Sequence, residues 1–178
     1  MQYFEERDGK LIFRYNGETV QVEAWGEDSL RVRSRVLGEI SEECSALTEE
    51  VAVHDAVISI QGEDSEVLLQ EIPNGGALCL KARYFRSLPG GSFYLKASFQ
   101  SNDREKLYGM GQYQQERMNL KGCNLELAHR NSQASVPFYV SSLGYGFLWN
   151  NPAVGEVHFG TNTTEWEAWS TDQLDYWI

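Results

Sequence analysis

Turn signals punctuate this chain roughly every 8–12 residues, and short apolar runs alternate with polar residues between them. That rhythm leaves room for strands and almost none for helices. Within 18–25, ETVQVEAW, Val20, Val22 and Ala24 alternate with polar neighbours, and within 29–36, SLRVRSRV, Leu30, Val32 and Val36 keep a period of two. Asn16-Gly17 separates the first two strands, a strong hairpin pair, and Gly26-Glu27-Asp28 makes the next turn. Runs at 51–60 and 65–72 are split by Gly62-Glu63-Asp64, and runs at 77–84 and 92–99 by Pro89-Gly90-Gly91. Beyond Asp103 glycines become frequent and strands shorter, with candidates at 136–141, 144–150 and 157–159. Helical character is confined to two short stretches, 41–50 and 103–106. Without long helices between strands, a Rossmann-like domain or a complete (β/α)8 barrel is excluded on pattern. The expected fold is all-β, a large antiparallel β-sandwich with two curved sheets.

A chain of 178 residues is long enough for one domain with a real core. Fifteen basic and 26 acidic residues give a formal charge of −11. That balance argues against nucleic acid and anionic membrane as partners, which need a positive surface, and says nothing about neutral ligands such as sugars. The three cysteines, Cys44, Cys79 and Cys123, form no CxxC pair and are odd in number. They read as reduced thiols of a cytoplasmic protein rather than as a zinc site or a disulfide framework. The opening MQYFEERDGK lacks the basic and apolar regions of a leader, and no apolar run approaches a membrane span.

The usual catalytic sets are missing. His54, His129 and His158 are far apart and sit in no HExxH or HxH pattern, so no metal and no cofactor is expected. His158 and Glu156 are two apart and share a face if they lie on a strand. Such a pair could act as acid and base on a sugar ring; the plainer reading is two polar residues on a solvated face. No GxSxG elbow surrounds Ser141 or Ser142, and Gly109-Met110-Gly111 is a turn rather than a dinucleotide fingerprint. Asp172 and Asp175 look like a connector rather than a catalytic pair. Trp149, Trp166, Trp169 and Trp177 crowd the last thirty residues, as core, as a docking surface or as sugar-stacking platforms.

The stretch 107–149 is dense in Gly, aromatic residues and side-chain amides, a mixture suited to facing a sugar. It contains a YGxGQ turn (Tyr108-Gly109-Met110-Gly111-Gln112) and an Asn-x-x-Gly step (Asn119 to Gly122). A polar loop ending near Asn131 follows, then Pro137-Phe138-Tyr139 and Gly144-Tyr145-Gly146 running into LWNN. In order and spacing these motifs resemble the N-terminal β-sandwich domain of glycoside hydrolase family 31, which includes α-glucosidases and α-xylosidases. The closing Leu174-Asp175-Tyr176-Trp177-Ile178 resembles the run that leads into that family's barrel.

The resemblance implies a galactose-mutarotase-like supersandwich over 1–170, with 171–178 beginning a connector to a separate (β/α)8 catalytic barrel. It implies a retaining α-glycosidase whose Asp nucleophile and Asp acid/base belong to that barrel. No WxDMNE-type motif occurs here, so no catalytic residue is expected in this chain and the chain alone should be inactive. The implied partners are the protein's own barrel and an oligosaccharide with α-linked glucose or xylose. By the same resemblance a sandwich loop, here 125–133, reaches the sugar pocket. Asn131 matches the loop Asn best, with Arg130 and His129 beside it, although Asn131-Ser132-Gln133 stands where the family often has an Asn-Thr-Asp run. Two other readings stay open: a stand-alone carbohydrate-binding module, and a mutarotase-like sugar epimerase.

Overall fold

The structure is a computed structural model that describes residues 4–42, 67–76 and 80–178. His54, Cys44, Cys79, the run at 51–60 and most of 41–50 lie outside the described residues. The chain divides into two compact units, one of residues 1–66, 149–151 and 172–178, the other of residues 67–148 and 152–171.

The first unit holds a four-strand meander: β1 (Phe4–Arg7), β2 (Lys10–Tyr15), β3 (Glu18–Trp25) and β4 (Ser29–Val36). Asn16 and Gly17 turn at φ 51° and 77°, and Asp8 and Gly9 at 52° and 72°. Two consecutive positive φ values make the type I′ turn, whose twist suits antiparallel strands. The first turn was expected from the sequence; the second adds β1 ahead of it. The free edge of β4 is taken by β13 (Leu174–Trp177), antiparallel, with Tyr176 opposite Val32.

Residues 171–178, expected as the start of a connector, therefore contribute a fully buried strand. Nor is β4 a simple alternating strand: Arg31, Val32, Arg33 and Ser34 are all buried. The two arginines are tolerated because carboxylates meet them. Arg31 forms a bidentate pair with Asp175, and Arg33 Nη2 donates to Glu23 at 2.5 Å. Asp175 is thus the internal ion-pair partner of Arg31.

The second unit holds β5 (Arg83–Ser87), β6 (Phe93–Gln100), β7 (Leu107–Gln112), β8 (Asn124–Leu127), β9 (Ala134–Ser141), β10 (Gly146–Trp149, its last residue counted with the first unit), β11 (Gly155–Phe159) and β12 (Thr163–Thr171). Five strands form one antiparallel sheet in the order β5-β6-β12-β11-β8, and β10-β9-β7 run side by side opposite it. Inward side chains of the two layers meet in an aromatic core. Tyr139 lies 5.3 Å from Phe147, 5.7 Å from Phe159 and 6.3 Å from Trp166, centroid to centroid. Rings at these spacings bury 150–250 Å² each by general estimate, about 0.5–1.5 kcal/mol per pair beyond burial. This is the antiparallel β-sandwich expected from the turn rhythm. No helix occurs among the described residues, and 103–106 forms a turn rather than a helix.

The motifs that carried the resemblance are mostly scaffold. A β-bulge falls between Gly109 and Gly111, with Met110 at φ 69° and wholly buried. A Cβ on Gly111 would strike the carbonyl of Ala134 and sit 2.9 Å from Val136 N, so only glycine lets β7 approach β9 this closely. Asn119 Oδ1 accepts from Leu107 N (3.1 Å) and Lys121 N (3.2 Å), fixing the step before Gly122. The Tyr145 hydroxyl and Ser141 Oγ both donate to Glu105 Oε1 at 2.6 Å, with Lys121 Nζ 3.7 Å from the same carboxylate. Those contacts assign Ser141 to a buried polar network.

Candidate functional site

Between β8 and β9 the chain crosses from one layer of the second unit to the other through residues 128–133. Arg130 N donates to Gln133 O at 3.2 Å and Gln133 N to Arg130 O at 3.0 Å. That reciprocal pair pinches a two-residue tip, Asn131-Ser132, with Ser132 at φ 66°. A short polar side chain is among the few that accept this conformation. His129, Arg130, Asn131 and Ser132 are all exposed.

The base of the loop is braced from several sides. Gln133 Nε2 donates to Ala128 O at 3.1 Å, and Ser135 N donates to His129 Nδ1 at 3.3 Å. The latter bond makes Nδ1 an acceptor and leaves Nε2 as the imidazole's other polar edge. The Tyr113 hydroxyl donates to Glu126 O at 2.9 Å and lies 2.8 Å from Ser135 Oγ. Burial, together with the nearby Glu126 charge, pushes the Tyr113 pKa up although the Ser135 hydrogen bond pulls the other way, so this brace stays protonated well above neutrality. Arg130 grips Glu126 with both Nε (2.8 Å) and Nη2. That hydrogen-bonded pair lowers the Glu126 carboxyl and raises the Arg130 guanidinium from their ordinary values.

The three candidates therefore have different freedom. Arg130 is a brace whose fork is occupied, His129 is pinned through one nitrogen, and Asn131 sits at the tip with no side-chain hydrogen bond among the described residues. A held loop with one uncommitted amide at its apex can offer a donor group and an acceptor, the contact a sugar hydroxyl uses. Tyr113, Glu126, Gln133 and Ser135 were not singled out from sequence. Only the Glu126–Arg130 spacing carried a trace of them.

The other candidates resolve differently. Glu156 and His158 do share a face of β11, exposed, with Glu167 and Glu165 opposite them on β12. Glu126, Glu156 and Glu167 fall in one cross-strand row on the outer face of the five-stranded sheet. No group of three metal-ligating side chains with the geometry to hold an ion occurs among the described residues. Trp149, Trp166 and Trp177 are at most 4% exposed and so present no ring to a ligand, whereas Trp169 is 43% exposed.

Residues 4–157 match the family model of the glycosyl hydrolase 31 N-terminal galactose mutarotase-like domain. The chain is 39% identical to an uncharacterized family 31 glucosidase of Pseudescherichia vulneris, over 97% of this chain and 40% of that protein. It is 38% identical to α-xylosidase A of Aspergillus niger over 53% of this chain and 13% of the relative. Among solved structures, a GH31 α-xylosidase from a soil metagenome, complexed with xylose, superposes with a TM-score of 0.89 at 38% identity. That superposition covers 99% of this chain and 32% of the xylosidase, so the chain spans about a third of the relative's length. The aromatic sandwich, the glycine-dependent β7–β9 approach and the matched span agree: the chain belongs to the N-terminal galactose-mutarotase-like domains of glycoside hydrolase family 31.

Proposed function

We propose that this chain is the N-terminal, non-catalytic domain of a retaining α-glycosidase acting on α-linked xylose or glucose. The domain packs on a (β/α)8 catalytic barrel and lends the loop between β8 and β9, with Asn131 at its tip, to one wall of the sugar pocket. The observation that carries this reading is coverage: essentially the whole chain superposes on a third of an α-xylosidase, and the matching family model is that of an N-terminal domain. The acid and nucleophile then belong to the rest of the enzyme. Among the described residues, Glu156 of the carboxylate row is exposed on the outer sheet face, whereas glycosidase chemistry proceeds where water is excluded.

The test compares the 178-residue chain with the longer protein encoded by the same reading frame, on aryl α-xyloside and aryl α-glucoside. The longer protein should hydrolyse at least one of them and the 178-residue chain neither. Robust hydrolysis by the short chain would end the proposed division of labour. Carbohydrate binding by the domain alone should be weak, since one loop tip supplies a single amide and three of the last four tryptophans are buried.

A further inference from the structure

The second unit presents two outer sheet faces of opposite character. On the five-stranded sheet the outward positions carry a charged cluster, with Tyr84 and Tyr94 beside it. Lys96 Nζ lies 2.7 Å from Glu165 and 3.5 Å from Glu167, Glu156 and Glu126 continue the row from Glu167, and His158 lies opposite Glu165. On β7, β9 and β10 the outward positions carry no charge. Val136, Phe138 and Val140 follow one another along β9 at 50%, 41% and 48% exposure, although each is a good core residue. Tyr108, 38% exposed, pairs with Val140 from β7, and Leu148 pairs with Phe138 from β10. The Phe138 ring lies over Gly146, within 3.1 Å of where a Cβ would be, so glycine keeps the patch flat.

An antiparallel sheet facing water normally shows polar residues there. Five adjoining apolar side chains on one face, in a chain with 26 acidic and 15 basic residues, mark a surface that another surface covers. We infer that the Tyr108–Val136–Phe138–Val140–Leu148 face is the docking surface for the catalytic part of the same polypeptide. The inference rests on the proposed function. It is supported by the length of the relatives, of which this chain spans 40% and 32%. It is also supported by continuity: Val136, on β9, follows the Asn131 tip by five residues, so docking through β9 delivers that tip to the neighbouring surface. The occupant must present an uncharged apolar face, since any buried charge would meet no partner here.

Carbene footprinting with mass spectrometry tests it on the 178-residue chain and on the longer protein. Phe138 and Tyr108 should be labelled at least ten-fold less in the longer protein, while Trp169 and Tyr84 on the other sheet change less than two-fold. Equal labelling of Phe138 in both proteins overturns the inference. So does protection already present in the short chain, whether it fades on dilution (a second copy is the occupant) or does not (the chain covers itself). A reading frame without a further domain overturns both this inference and the proposed function. Protection in a longer protein that cleaves no α-glycoside supports the docking surface and removes only the functional reading.

Discussion

Arg31 and Asp175, 144 residues apart, close on each other as a buried fork: Nε to Oδ1 is 3.0 Å and Nη2 to Oδ2 is 2.7 Å. Asn150 Nδ2 donates to the same carboxylate at 2.8 Å. The guanidinium lies 5.4 Å from the Trp25 ring and 4.5 Å from the Trp177 ring, which themselves meet edge to face. Burial works against the Arg31 charge, and the Asp175 hydrogen bond with the charges of Asp175, Glu23 and Glu42 more than offsets it, so the guanidinium pKa is raised. Removing either partner strands a charge in a dry site. Asp175→Ala and Arg31→Ala should each cost about 3–5 kcal/mol in urea unfolding, and the Arg31→Met/Asp175→Leu double variant much less than their sum. Additive losses would show the pair to be two independent contacts.

Glycine positions separate into those that need space and those that need only φ. At Gly111 (φ 89°) an added Cβ would collide with the Ala134 carbonyl, whereas at Gly122 (φ 83°) nothing lies within 4 Å. Gly122→Ala should cost about 1–2 kcal/mol for its left-handed backbone. Gly111→Ala carries the same strain plus displacement of β7 from β9, and should cost several kcal/mol more, read as a drop in Tm and loss of near-ultraviolet dichroism from the aromatic core. Equal destabilisation would mean that the β7–β9 approach is loose.

Alkaline stability should report on Tyr145. Burial raises its hydroxyl pKa above the ordinary 10.0, and the Glu105 carboxylate that accepts its proton raises it further. The sign follows: the folded state holds this proton more tightly than the unfolded state. The contribution is therefore fully present below pH 10 and is lost as pH rises from there toward the raised value, at a limiting slope of about 1.4 kcal/mol per pH unit. Tyr145→Phe should flatten that slope in denaturant titrations run from pH 9 to 11. An unaltered slope would place the titrating group elsewhere.

Activity should separate Asn131 from Arg130. In the proposed longer enzyme, Asn131→Ala would remove the proposed sugar contact and should lower kcat/KM for the better aryl glycoside about ten-fold, about 1.4 kcal/mol, with Tm unchanged within about 1 °C. Arg130→Ala frees Glu126 and loosens the loop, so it should raise proteolytic nicking between β8 and β9 as well as KM. Asn131→Ala kinetics equal to those of the parent would take the tip out of the pocket.

The strand rhythm was legible because turns are local: Asn16-Gly17 needs only its own two residues to fix a type I′ hairpin. The interior of β4 was not. Arg31 and Arg33 alternate with Val32 and read as a wet face, because the carboxylate that makes Arg31 tolerable inside arrives from a strand 144 residues later. Long-range partners invert a local pattern without leaving a local mark. The candidate loop was legible to the same extent. Asn131 could be placed at a polar turn, but Arg130 reads alike whether it meets a sugar or Glu126. The tryptophans are a similar case, since ring type says nothing of which side of a strand faces the opposite layer.

The place of β13 bears on how the protein is made. Strands β1 to β4 leave the ribosome well before β13, yet the edge that β13 takes stays open, and Arg31 lacks Asp175, until residue 177 has emerged. At typical synthesis rates that is an interval of order ten seconds. Throughout it a finished meander displays an unpaired edge and a half-built ion pair. A meander translated well before β13 is thus locked only when β13 arrives, and a holding chaperone acting on nascent chains would find its target at β4.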